Sequence, residues 1–368
     1  MKILKGILLF VLCISALTGC TKDSSNESSN KDTVQGEVVT TMPTAAPTAI
    51  TSDQAAVTPA NETAEVKEVK EKININIAAL KGPTAMGMVK VMEEAAGKLT
   101  TNNYNFTIAG AADEISVGLV KGDIDIAAVP CNLASVLYNK TKGKIKVAGI
   151  NTLGVLYIVE TGDTIKSVAD LKGKTIYSTG FGTTPQYTLN YLLTSYGIDP
   201  EKDVTIEYKT EPTEVAAMLS EATDAVAMLP QPYVTTVMMN NDKVRIALNV
   251  ADEWDAVSKD GSSVVTGVIV VRSDFLENNK EEFEAFMEEY SASVNFVNDS
   301  VDEASALVEK FDIFKAAVAK KAIPYCNITL IQGKEMKEKI SGYLATLWKQ
   351  NPESVGGNLP ADDFYYIP

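Results

Sequence analysis

A chain of 368 residues is long enough for one large domain or two lobes with a substantial core. Its formal net charge of −15 argues against nucleic acid or anionic lipid as the main partner. It has no histidine, which removes the commonest general base, any Ser/His/Asp or Cys/His arrangement and the commonest metal ligand, so neither cofactor nor metal is expected.

Lys2 and Lys5 precede an apolar run over 7–17, too short to span a bilayer and placed where a secretory leader has its apolar core. The run ends Leu17-Thr18-Gly19-Cys20, which resembles the bacterial lipobox. That resemblance implies a signal peptide over 1–19, acylation of Cys20 and anchoring to the outer face of the cytoplasmic membrane without a transmembrane helix. Residues 20–72 are rich in Ser, Thr, Asn, Ala, Pro, Glu and Lys and hold no aromatic side chain, the composition of a disordered tether. Beyond it only Cys131 and Cys326 remain as thiols, which leaves one bridge open and makes a disulfide framework unexpected.

From residue 73 onward strands alternate with helices. Residues 73–80 read as a strand entering a buried sheet, and Lys81-Gly82-Pro83-Thr84 leads into a helix over 85–99. A strand over 104–110 precedes a helix over 113–121 that Asp113 should cap, a strand over 125–130 precedes a short helix over 133–139, and 144–150 is a fourth strand. Such spacing implies βαβ units in a mostly parallel, doubly wound sheet, with ligands beyond the carboxyl ends of the strands. There the loops 81–84, 111–113 and 130–132 should converge.

An apolar run over 155–159 follows with no helix between, and the pattern restarts. Its centre is DLKGKTIYSTGFGTTPQY, residues 170–187: a strand over 174–178, a Gly-rich turn, then a helix over 185–196 opened by Thr183-Thr184-Pro185. The first-turn N–H groups of such a helix can hold a carboxylate, sulfonate or phosphate, and Gly180 and Gly182 let the backbone approach it. An ordinary strand-to-helix turn capped by a threonine accounts for the same residues. Strands over 204–209, 224–229 and 244–250 alternate with helices over 214–221 and 233–239, so DIAAVPCN (125–132) and DAVAMLPQP (224–232) read as equivalent edges of two lobes. A strand over 261–271 returns to the first lobe. The remainder is helical, with core stripes Phe283, Phe286, Met287, Tyr290, Val294, Val297 and Met336, Ile340, Tyr343, Leu344, Leu347, Trp348.

The segments at 167–193, 118–130 and 224–237, with the lipobox and tether, resemble the type 2 solute-binding proteins of ABC importers, in the nitrate/sulfonate/taurine-type branch that also includes binders of thiamine pyrimidine precursors. The resemblance implies an α/β fold of two lobes, each a doubly wound mostly parallel sheet, joined by two crossovers: 73–155 plus 265–368, and 156–264. It implies capture of an organic anion or heterocycle between the lobes and delivery to an ABC permease with its ATPase, as a monomer. Ligand contacts are then expected from Lys81, Gly82, Pro83, Thr84, Met86, Ala111, Asp113, Asn132 and Thr152 of one lobe. The other should supply Thr179, Gly180, Phe181, Gly182, Thr183, Thr184, Gln231 and Tyr233. Lys81 would be the one cleft cation, fewer than sulfonate or nitrate binders of the family bring, so a neutral ligand or a ring with one anionic group is also compatible. Phe181, Tyr233 and Trp254 are candidates to stack on such a ring.

A surface sensor or adhesion lipoprotein on the same fold is the alternative. An enzyme would need a carboxylate pair or an activated lysine or cysteine, whereas Asp113, Glu114, Glu211 and Glu214 suit helix starts and Cys131 a buried filler. A related enzymatic branch relies on an active-site histidine that this chain lacks.

Overall fold

A computed structural model describes residues 71–258 and 262–368, all within one compact unit. The leader, Cys20 and the tether up to residue 70 lie outside the described residues. The strands are β1 (Asn74–Leu80), β2 (Asn103–Ala109), β3 (Ile126–Pro130), β4 (Ile145–Leu153), β5 (Leu156–Thr161), β6 (Thr175–Thr179), β7 (Thr205–Lys209), β8 (Val226–Pro230), β9 (Val244–Asn249), β10 (Val265–Arg272) and β11 (Ile328–Ile331). Between them run α1 (Pro83–Met86), α2 (Val89–Ala96), α3 (Ala112–Lys121), α4 (Cys131–Thr141), α5 (Thr184–Ser195), α6 (Pro212–Glu221), α7 (Tyr233–Asn240) and α8 (Val250–Val257). After β10 come α9 (Ser273–Asn278), α10 (Lys280–Asp299), α11 (Val301–Lys310), α12 (Ala316–Ala322) and α13 (Gly333–Gln350).

The strands form two mixed sheets, ordered β11-β4-β10-β3-β1-β2 and β7-β6-β8-β5-β9. In the first, β1 pairs in parallel with β2 and β3, while β10 runs antiparallel to β3 and β4. In the second, β6 pairs in parallel with β7 and β8, while β5 runs antiparallel to β8 and β9. Each sheet is thus a parallel set into which a strand from a crossover is threaded in reverse, β5 in the second sheet and β10 in the first, where the edge strand β11 also runs antiparallel to β4. Both are nearly continuous apolar runs because helices cover both faces.

The helical stripes pack as their spacing predicts. Phe283, Phe286, Tyr290 and Val297 of α10 bury against one face of the first sheet with Ile75, Ile77 and Ile269. Met336, Ile340, Tyr343 and Leu347 of α13 bury against the other with Val129, Val268 and Val270. Trp348 is an exception: it is 38% exposed and donates Nε1–H to the Gly357 carbonyl.

Four features depart from the sequence reading. The helix expected over 85–99 is broken at Gly87-Met88 into α1 and α2, because α10 inserts Ser293 there. Its hydroxyl donates to the Gly87 carbonyl (2.7 Å) and accepts from Lys90 and Val91 N–H (3.2 and 3.3 Å). Asp113 does not cap α3; extended Ala111 does, and Asp113 sits inside the first turn. The helix α8 and the four-residue edge strand β11, which pairs with β4, have no counterpart in that reading.

Candidate functional site

The carboxyl ends of β1, β2 and β3 lie side by side, and each leads into a helix. Local chemistry sets those starts. Pro83 opens α1, where its fixed φ and missing N–H cost nothing. Asp113 and Glu114 favour the positive end of α3. Pro130 passes directly from β3 into α4. On the second lobe, Gly180 adopts φ +74°, which turns the chain so that its carbonyl accepts from both N–H and hydroxyl of Thr183 (3.0 and 2.7 Å). The Thr183 side chain is therefore spent on the turn, and α5, like α3 and α4, starts with no side-chain cap on its first-turn N–H groups.

Between these helix starts lies a cavity of about 370 Å³ lined by Ala112, Asp113, Pro130, Asn132, Leu133, Val155, Leu156, Thr183, Thr184, Pro185, Pro230 and Thr266. Its walls come from both lobes. They already touch: Thr184 Oγ1 donates to Asn132 Oδ1 at 2.8 Å, and Asn132 Nδ2 donates to the Ser354 carbonyl at 3.1 Å. The enclosed Thr266 hydroxyl has no hydrogen-bond partner among the described residues. Cys131, one residue from the wall, is buried, and burial pushes its thiol well above the usual range, which makes it an inert filler.

Of the expected residues the cavity thus gathers Asp113, Asn132, Thr183 and Thr184. Ala111 and Gly82, the residues before α3 and α1, do not line it. Others serve elsewhere. Thr184 meets Asn132 rather than the 81–86 loop, and no residue of that loop lines the cavity. Lys81 lies 3.6 Å from Asp312, and Thr84 donates to the Leu80 carbonyl. Met86 is fully buried in the core of the first lobe, and Thr152 is buried with its hydroxyl unpartnered among the described residues. Gln231 accepts from Thr235 N–H and hydroxyl (3.2 and 2.8 Å), so it pins the first turn of α7, and it lines a separate cavity of about 450 Å³ with Met238, Lys320 and Tyr325.

The aromatic candidates also separate. Phe181 is 71% exposed and meets Tyr208 edge-on, and Tyr233 meets Phe314 edge-on. Trp254 is wholly buried, against Tyr191 and Tyr343. Thr179 is buried at the end of β6, and the Gly182 N–H is taken by Gln186. Glu211 and Glu214 bond each other's backbone as a capping box on α6. Among the described residues no three His, Cys, Asp or Glu cluster as a metal site.

The wall residues not anticipated are chiefly apolar: Leu133, Val155, Leu156, Pro185 and Pro230. The signal for Pro230 was present, since it ends the DAVAMLP edge as Pro130 ends the equivalent DIAAVP edge. Each stands opposite a reversed strand, Pro130 against Gly267 of β10 and Pro230 against Leu156 of β5. Gly267 lies just behind the wall, where a Cβ would come within 2.4 Å of Asn151 Oδ1 and 2.6 Å of Thr84 Cγ2. Gly267→Val is therefore expected to cost about 1–3 kcal/mol through overpacking, read from urea denaturation midpoints.

Residues 140–304 match a family model described as NMT1/THI5 like. No curated protein sequence matches the chain. Among solved structures, an ABC transporter protein from Parabacteroides distasonis is 24% identical, with a TM-score of 0.67 over 80% of this chain and 98% of that one. The periplasmic aliphatic sulphonate binding protein SsuA of Escherichia coli is 16% identical, with a TM-score of 0.64 over 80% and 92%. The Candida albicans CA3427 gene product, described as having the generic periplasmic binding protein fold, is 14% identical, with a TM-score of 0.51 over 79% and 92%. With two mixed sheets flanking one cavity and these likenesses, the chain has the periplasmic binding protein fold and carries an NMT1/THI5-like domain over residues 140–304.

Proposed function

We propose that this protein is an extracytoplasmic solute-binding protein, anchored through acylated Cys20, that encloses a small molecule between its lobes and delivers it to an ABC permease with its ATPase. The observation that carries the reading is the cavity itself: it has walls from both lobes and a direct bridge between them, Thr184 to Asn132. A ligand that touches both walls binds the closed arrangement better than an open one, and only that difference in affinity drives closure. The permease then distinguishes loaded from empty protein by lobe arrangement. The buried, inert Cys131 and the Glu211–Glu214 pair committed to the start of α6 support binding without turnover. The protein acts as a monomer.

The test is a thermal-shift screen of the full chain in detergent against sulfonates, nitrate, pyrimidines and short carboxylates, with mass spectrometry of whatever copurifies. A ligand at 100 times its Kd should add about 2.7 kcal/mol of stability. Thr184→Val, which deletes the bridging hydroxyl, is expected to weaken that ligand about tenfold and to cost the empty protein about 1 kcal/mol. Turnover of a bound compound, or a cooperative melt that no small molecule shifts, would overturn the reading.

A further inference from the structure

The electrostatics of the cavity narrow its occupant. Among the described residues that line it, Asp113 is the one charged side chain, and neither lysine nor arginine is present. Lys81, the cation expected there, lies beside Asp312 instead. Asp113 makes no hydrogen bond or ion pair with any described residue, and Glu114 shares its service to the amino end of α3, so the carboxylate faces the cleft with its charge uncommitted. Acceptor atoms of a ligand can be met by the uncapped first-turn N–H groups of α4 and α5, since the Thr184 hydroxyl donates to Asn132. A cationic group on the ligand is met only by Asp113. A strong anion with no donor would instead bring its charge toward that carboxylate with no cation in the wall to offset it.

We infer that the ligand presents a protonated amine or an equivalent N–H donor to Asp113, with its carbon skeleton against Leu133, Val155, Leu156 and the prolines. This rests on the proposal that the cavity captures a small molecule, and it makes Asp113 the residue that sets ligand charge.

Three probes on one ring, benzylamine, benzyl alcohol and benzoate, separate the possibilities by calorimetric titration of the full chain at pH 7. Benzylamine should bind about tenfold tighter than benzoate, and Asp113→Asn should abolish that preference. Asp113 is exposed, so the variant should fold, which far-UV circular dichroism checks. Benzoate binding as tightly as benzylamine, or a preference that survives Asp113→Asn, would overturn the role of Asp113 and leave capture standing. Where the probes are too weak to titrate, the copurifying molecule decides: an N–H donor supports the inference, and an anion without one overturns it. No bound small molecule by native mass spectrometry and no binding of any probe would bring down capture itself.

Discussion

Trp254→Ala is expected to destabilise the protein by about 4 kcal/mol, as removal of a fully buried tryptophan does when the surrounding structure cannot collapse into the void. The indole is wholly buried, its ring centre 4.1 Å from that of Tyr191 on α5 and 5.4 Å from that of Tyr343 on α13. Its Nε1–H donates to Ser262 Oγ at 3.3 Å. It therefore joins two helices of the second sheet's lobe, α5 and α8, to a helix that covers the first sheet. Alanine loses the transfer free energy of the ring and two aromatic contacts, and leaves a cavity at the joint between lobes. Trp254→Phe should recover part of the loss. Urea denaturation followed by far-UV circular dichroism measures both; a loss below about 1 kcal/mol would show that the joint repacks freely.

Glu160→Ala should cost about 3 kcal/mol, because it breaks a buried carboxylate network from one side. Glu160 on β5 is 2% exposed and accepts from Thr164 N–H (3.1 Å), Thr164 Oγ1 (2.9 Å) and Ile165 N–H (3.0 Å), and it pairs with the Arg245 guanidinium. Burial pushes its carboxyl upward, but the hydrogen bonds from Ile165 and Thr164 together with Arg245 outweigh burial and hold it below its ordinary value. A depressed carboxyl stabilises the fold above its unfolded pKa, about 4, and that contribution drains away as pH falls through the lower folded value. Stability should thus decline on acidification below about pH 4, and Glu160→Gln should be less stable at neutral pH and flatter across that window. An unchanged acid limb in the variant would assign the decline to other carboxylates.

Much of this architecture is local chemistry. The alternation of apolar runs with amphipathic stretches identifies the strands and helices because period 2 and period 3.6 each leave one face to bury. The repeated DIAAVP and DAVAMLP edges reveal two lobes because both end a central strand at a proline where a helix begins. What escaped depends on distant partners. The break in the first helix exists because Ser293, more than 200 residues away, bonds the backbone at Gly87. β11 is a four-residue edge that exists only beside β4.

For the site, the sequence by itself placed helix starts near 113, 133 and 185, after strand and turn, and the structure sets them at Ala112, Cys131 and Thr184. It also determined the want of histidine and the scarcity of cations near the cleft loops. Only the tertiary structure decided which loops meet. It set Thr184 on Asn132, sent Met86 into the core, drew Lys81 to Asp312 and left Asp113 facing an apolar wall. The reason is physical: hydrogen-bond and burial patterns along a chain fix which face is inward, but the closure of one lobe on another depends on contacts between residues far apart in sequence, such as Trp254 with Tyr343.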